Sequence, residues 1–210
     1  PEVMEKMHRM YNLAYNERAR ISPTALNTYL ECKLRFYLKY VAGLQTPEEV
    51  SAEIDSITFG DIFHKSAEYI YKDLTQHGSL ITKDDIEALM KDEVRLESYV
   101  DKAFKELFFH IEMDEKPEYN GTQLINSAVI IRYIKQLLRI DRQYAPFTYV
   151  ASEKSVSEQV SIHTPSGDFK SRIGGKIDRL DQKDDTLRIV DYKTGGEPKN
   201  PANVASLFIP

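Results

Sequence analysis

The sequence predicts an α+β fold, and three observations carry that expectation. Apolar residues recur at helical spacing from Leu26 to Leu138. At Pro146 the texture changes to β-branched and aromatic segments separated by turns. Four such β segments then follow in series, which suggests an antiparallel meander with helices packed around it.

The first helix start lies at Ser22-Pro23, where the serine oxygen can cap free N–H groups and proline suits the first helical position. Leu26, Tyr29, Leu30, Phe36, Tyr37 and Tyr40 supply its apolar positions. A second helix is expected from Phe59 to Gln76, carrying Ile62, Phe63, Tyr69 and Ile70, with His77-Gly78 ending it. Asp84 to Glu115 is helix-favouring and acidic, and Pro117 to Gly121 breaks it. Gln123 to Tyr144 forms the next helix through Leu124, Ile125, Ile131, Ile134, Leu137 and Leu138. The expected strands are 147–150, 156–162, 172–180 and 187–193, with turns at 165–168 and 182–185. The expected organisation is one domain over 1–210, carrying a helical insertion at 78–145.

Composition bounds the function without naming it. The chain has 210 residues, enough for one sizeable core. No apolar run approaches the roughly 18–20 residues that cross a bilayer, so no membrane partner is expected. Cys32 is the one cysteine, so an internal disulfide is excluded and a reducing, cytoplasmic setting is the default. The opening Pro1-Glu2-Val3-Met4 implies a chain cut from a longer polypeptide. The net charge of −5 is uneven: residues 83–118 hold twelve acids against six bases, which leaves the remainder at +1. Between Arg18 and Tyr40 five bases (Arg18, Arg20, Lys33, Arg35, Lys39) face two acids, Glu17 and Glu31. Local charge decides whether a phosphate backbone is attracted, although a solvated helix face reads the same way.

The last hairpin carries chemistry. On a strand Asp191 and Lys193 share one face with Leu187 and Ile189, while Val190 and Tyr192 share the other. Such a strand, apolar on both faces, is expected to be central and buried. Charges at its end need partners, and Asp178 lies across the turn near the level of Ile189 to Asp191. Two aspartates and a lysine at one end of a sheet suit phosphodiester hydrolysis. Carboxylates hold a hard divalent cation, and a lysine steadies charge developing on the phosphate. The spacing alone also fits a structural ion pair of Lys193 with a carboxylate.

The segment 174–181, Gly-Gly-Lys-Ile-Asp-Arg-Leu-Asp, and the segment 189–195, Ile-Val-Asp-Tyr-Lys-Thr-Gly, carry a resemblance. Together they resemble the G-x-h-D-R-h-D … h-D-Y-K-T-G signature of the RecB-like, AddB-type branch of the PD-(D/E)XK nuclease superfamily. Ser22 to Cys32 with Phe36-Tyr37 resembles that branch's opening helix, and Phe59-Gly60-Asp61-Ile62-Phe63-His64 resembles its G-x-x-x-H helix. The resemblance implies a restriction-endonuclease-like mixed sheet flanked by helices. It implies Mg²⁺ or Mn²⁺ as cofactor and DNA as partner, with a helicase domain or subunit as a further partner. The implied activity is that of the exonuclease module of a DNA repair or recombination protein. The alternatives are an inactive nuclease fold serving as a DNA-binding or assembly scaffold, and a nuclease of CRISPR spacer acquisition.

Residue by residue, the resemblance makes Asp178 and Asp191 metal-binding carboxylates, Lys193 the catalytic lysine and His64 a metal ligand. Tyr192 is expected to offer its backbone carbonyl to the metal. Glu153 stands where many members carry an acidic catalytic residue, with a surface salt bridge as the other reading. Arg20, Arg35 and Lys39 are candidate DNA contacts. Arg179 is a fourth, although it and Asp181 also read as ion-pair and turn residues. Two departures stand out. Cys32 is followed by Lys33 rather than proline, and the cysteine trio that completes an iron–sulfur site in some members has no counterpart here, so no cluster is expected. The family's Q-x-x-x-Y helix after the lysine does not occur before Pro210, so the domain is expected to continue beyond it, with residues 195–210 a loose tail.

Overall fold

The computed structural model describes residues 2–44, 53–164 and 167–195. The expected tail from 196 onward and the turn residues Pro165 and Ser166 lie outside the described residues. The fold is α+β. Two compact units divide the chain: residues 1–49, 155–176 and 197–210 form one, and residues 50–154 and 177–196 the other.

The first unit contains α1 (Glu2–Tyr11), α2 (Pro23–Glu31) and α3 (Lys33–Phe36), which continues as a π-helical turn, Tyr37–Val41. Ser22 caps α2 through the Ala25 N–H at 3.1 Å, and Pro23 takes the first helical position, as the sequence suggests. The expected apolar stripe does not hold through 40, because Cys32 adopts an extended backbone (φ −153°) that ends α2 and resets the helical phase. Leu30 is left exposed, while Ala25, Phe36, Tyr11 and Val41 form the small core. The Cys32 sulfur accepts the Arg35 N–H and so caps α3.

The second unit is built on a larger core from α4 (Ser56–Leu74), α5 (Lys83–Lys91), α6 (Glu93–Phe104) and α7 (Gly121–Tyr144). Asp55 caps α4, and Asn120 with Gln123 forms a capping box on α7. Asp92 splits the acidic segment into two helices. A π-helical turn, Lys105–Phe109, extends the second, and His110 closes it in the left-handed region (φ 52°). Ile62, Ile70, Ile86, Leu89, Leu96, Ile130, Ile134 and Leu138 are essentially inaccessible to solvent. Each such side chain contributes about 1.5–3 kcal/mol by burial, which holds the four helices together.

The strands run β1 (Leu80–Ile81), β2 (Phe147–Ile162), β3 (Phe169–Lys183) and β4 (Thr186–Val190), in the sheet order β1-β2-β3-β4. β1 pairs antiparallel with β2, and β3 antiparallel with β4. An isolated parallel bridge joins Ile21 to Ile173. Three details differ from the sequence expectation. The two segments anticipated at 147–150 and 156–162 are one strand, which passes through Glu153 with a positive φ of 52°. The fourth strand is the short β1, inside the segment expected to be wholly helical. Finally, β4 ends at Val190 and is the last strand in the described sheet, so it is not a buried central strand. Leu187 and Ile189 are 62% and 67% exposed, and the covered side chains of the strand are Arg188 and Val190.

Gly174 has a packing reason to be glycine. A Cβ there would stand 2.4 Å from the Val156 carbonyl oxygen and 2.5 Å from the Ser157 Cβ. The backbone of β3 therefore approaches β2 more closely than any side chain allows.

Candidate metal centre

All residues of the centre belong to the second unit. His64 projects from the middle of α4, Glu153 from β2 and Asp178 from β3. One ligand atom from each lies within 4.8 Å of the others, and all three residues are half-buried. The register carries Asp178 to this place. Arg179 pairs with Val190, so continuing the ladder by one step sets Asp178 opposite Asp191. Glu153 reaches it from a left-handed backbone conformation that costs a non-glycine residue about 1–3 kcal/mol. That strain re-aims a side chain that would otherwise follow the pleat.

Hydrogen bonds determine how the ligands are presented. His64 Nε2 lies 3.0 Å from the Tyr192 carbonyl oxygen. A carbonyl only accepts, so Nε2 carries the proton, and the other nitrogen, Nδ1, faces Asp178 Oδ2 at 3.6 Å. The Tyr192 N–H donates to the same Asp178 oxygen at 2.7 Å. Through its N–H and its carbonyl, Tyr192 thus orients both the carboxylate and the imidazole. The donor set suits a divalent cation: two carboxylates and an imidazole nitrogen turn lone pairs toward one another, and a positive charge between them relieves the repulsion. An imidazole whose second nitrogen donates to a main-chain carbonyl is the usual arrangement of a metal-binding histidine.

Asp191 and Lys193 sit differently. They follow β4 rather than lying in it, and Lys193 Nζ is 2.9 Å from both Asp191 carboxylate oxygens. Their side chains are 62% and 73% exposed. Among the described residues Asp191 is not part of the three-residue grouping, where Glu153 stands instead. The Tyr192 carbonyl is engaged by His64. Asp191, Tyr192 and Lys193 also line a cleft of about 400 Å³ with Phe63, Tyr133 and Gln136.

Among the expected DNA contacts Arg20, Arg35 and Lys39 are exposed, Arg35 making a 3.7 Å pair with Glu31. Arg179 is not available to DNA: it has no solvent exposure. Its guanidinium forks onto Asp141 with bonds of 2.7 and 2.9 Å and lies 4.1 Å from the centre of the Tyr71 ring. The reason is alternation along β3, which turns Arg179 and Asp181 toward the core. Arg188, on β4, bonds both Asp141 and Asp181, and the Tyr71 hydroxyl also donates to Asp141. Sequence reading missed Asp141. The signal was there: it continues the Ile130, Ile134, Leu138 stripe of α7, and an acid on an apolar stripe requires a buried cation.

The sequence profile of the PD-(D/E)XK nuclease superfamily matches residues 20–207. The chain belongs to this superfamily. PD-(D/E)XK relatives include an ATP-dependent helicase/deoxyribonuclease subunit of Carboxydothermus hydrogenoformans, 27% identical over 185 residues, covering 83% of this chain and 16% of the relative. The protein of the same name from Streptococcus uberis is 26% identical over 175 residues, covering 83% of this chain and 14% of the relative. That from Listeria welshimeri is 22% identical over 191 residues, covering 86% and 16%. This PD-(D/E)XK chain therefore spans about a sixth of the length of these relatives.

Proposed function

We propose that this chain is a metal-dependent deoxyribonuclease, the exonuclease module of a helicase–nuclease protein of DNA repair or recombination. The observation that carries the proposal is the convergence of His64, Glu153 and Asp178 on one point beside the Tyr192 backbone. Superfamily membership and relatives named as helicase/deoxyribonuclease subunits support it. His64, Glu153 and Asp178 hold Mg²⁺ or Mn²⁺. A cation bound there polarises the phosphodiester and lowers the pKa of an attacking water. Lys193, exposed at the mouth of the adjoining cleft, exchanges its Asp191 partner for the phosphate and steadies charge developing on it. Arg20, Arg35 and Lys39 hold the DNA backbone without reading sequence. A helicase domain or subunit is the partner that delivers the strand.

The test is digestion of end-labelled DNA by the purified chain with Mg²⁺ or Mn²⁺, with and without chelator. The proposal expects cleavage that stops on chelation and is lost in His64→Ala and Glu153→Gln. Chelator-insensitive cleavage would refute it. One observation favours a second reading, a fold that binds DNA without cutting it: the Asp191–Lys193 pair stands outside the three-ligand grouping. Binding of labelled DNA with no cleavage in either metal would select that reading.

A further inference from the structure

The second unit holds a charged cluster in its interior. Arg179, Asp141 and Asp181 are 0%, 1% and 0% exposed, and Arg188 joins them from β4. Asp141 accepts the Arg179 fork, a 2.9 Å bond from Arg188 and the Tyr71 hydroxyl. Asp181 accepts Arg188 at 2.6 and 3.0 Å and stands 3.2 Å from Arg179. Aromatic rings close the cluster: Tyr71 lies under Arg179 at 4.1 Å and Tyr144 under Arg188 at 3.8 Å.

Stability is a poor reason for such a cluster. Apolar side chains of similar volume commonly serve a core as well as or better than buried ion pairs do. Here the satisfaction is also incomplete, since Arg179 Nε and Asp181 Oδ1 have no hydrogen-bond partner among the described residues. A partly satisfied polar network is costlier than an apolar core. Its placement gives it a different use. Arg179 adjoins Asp178 in the chain, and Arg188 faces Asp181 across the β3–β4 ladder. The cluster therefore grips both strands at the level just before the metal-site residues. The Arg179 guanidinium also lies 5.8 Å from the Tyr192 ring centre, and that buried ring packs edge-on against His64 and Phe63. The Tyr192 backbone is what orients His64 and Asp178.

We infer that the Asp141–Arg179–Arg188–Asp181 cluster is a positioning device for the metal centre: it fixes the β3–β4 hairpin and the Tyr192 ring so that His64 and Asp178 keep their mutual distance. This rests on the nuclease reading given above. Arg179 and Asp141 touch neither metal nor DNA, and they act through Tyr192 and the strand that carries Asp178. Outer-shell partners of this kind typically change metal affinity by about 10- to 100-fold when altered.

The test is Mn²⁺ titration of the full chain by calorimetry or electron paramagnetic resonance, alongside thermal unfolding. The decisive variant, Tyr71→Phe/Asp141→Leu/Arg179→Met, removes one charge of each sign and leaves Arg188 paired with Asp181. It is expected to unfold at or above the parental midpoint, yet to bind Mn²⁺ about 10- to 100-fold more weakly. Should that variant fail to fold, Arg179→Lys keeps the charge and loses the fork, and its affinity at low temperature is expected to fall by about 10-fold or more. Parental Mn²⁺ affinity in a folded variant overturns the inference alone. No Mn²⁺ binding by the parental chain overturns the nuclease reading itself, and the inference with it.

Discussion

His64 and Tyr192, 128 residues apart in sequence, are joined by a 3.0 Å contact between an imidazole Nε2 and a main-chain carbonyl. Tyr192 in turn gives its N–H to Asp178. Helix α4 and the segment after β4 are thereby tied together through the backbone of one residue, and the metal-binding potential of the site depends on that tie.

Lys193→Ala is expected to keep the fold and Mn²⁺ binding while slowing DNA cleavage about 10²- to 10³-fold, the usual loss for one electrostatic stabiliser of the transition state. Its 73% exposure means that little packing goes with it. Single-turnover rates beside Mn²⁺ titration check this. A variant cleaving at the parental rate would remove the lysine from the chemistry.

Asp141→Ala leaves two arginines without their shared carboxylate in the core. Breaking a buried pair from one side costs about 3–5 kcal/mol. Urea denaturation should show a loss of that size. A loss under about 1 kcal/mol, the range of exposed pairs, would mean that water reaches the cluster.

Gly174→Ala and Gly175→Ala should separate sharply. The first places a methyl group 2.4 Å from the Val156 carbonyl oxygen, whereas the second meets Pro23 only at 3.5 Å. Overpacking of this kind typically costs about 1–3 kcal/mol. Hydrogen exchange along β2 and β3 is the measurement, with protection lost in the first variant and kept in the second.

The acid limb of stability has an identifiable contributor in Glu106. The Tyr69 hydroxyl donates to its carboxylate and Lys65 stands 2.9 Å away, which lowers its pKa below the ordinary glutamate value despite partial burial. A folded-state pKa below the unfolded one means that the stabilisation is present above the unfolded value and is lost as pH falls through the folded one. Glu106→Gln is therefore expected to flatten the decline of stability on acidification without altering its value near the lower limit. Unfolding free energies from about pH 7 to about pH 3 provide the check, and an unchanged slope would contradict it.

The elements that local pattern controls were legible. Ser22-Pro23 gave the start of α2, and the Ile134–Leu138 stripe marked α7 as a core helix. The charged motif pointed to His64, Asp178 and Glu153, which the fold brings together. What escaped depends on tertiary pairing. The strand value of Leu80–Ile81 comes only from its partners Thr148 and Phe147. Apolar residues on both faces of β4 suggested a central strand, yet Leu187 and Ile189 face outward, since the core-facing side of the hairpin is occupied by Arg179, Asp181 and Arg188. Arg179 was read as a DNA contact because arginine is rarely buried. Only the opposed Asp141 and the Tyr71 ring make its burial tolerable.

The central claim is that His64, Glu153 and Asp178 hold a divalent ion. Anomalous scattering from a crystal soaked in Mn²⁺ tests it most directly. The account predicts a manganese peak bonded to His64 Nδ1 and to a carboxylate oxygen of both Glu153 and Asp178. A soaked crystal with no peak among these three residues, or with manganese held by Asp191 away from His64 and Glu153, would contradict it.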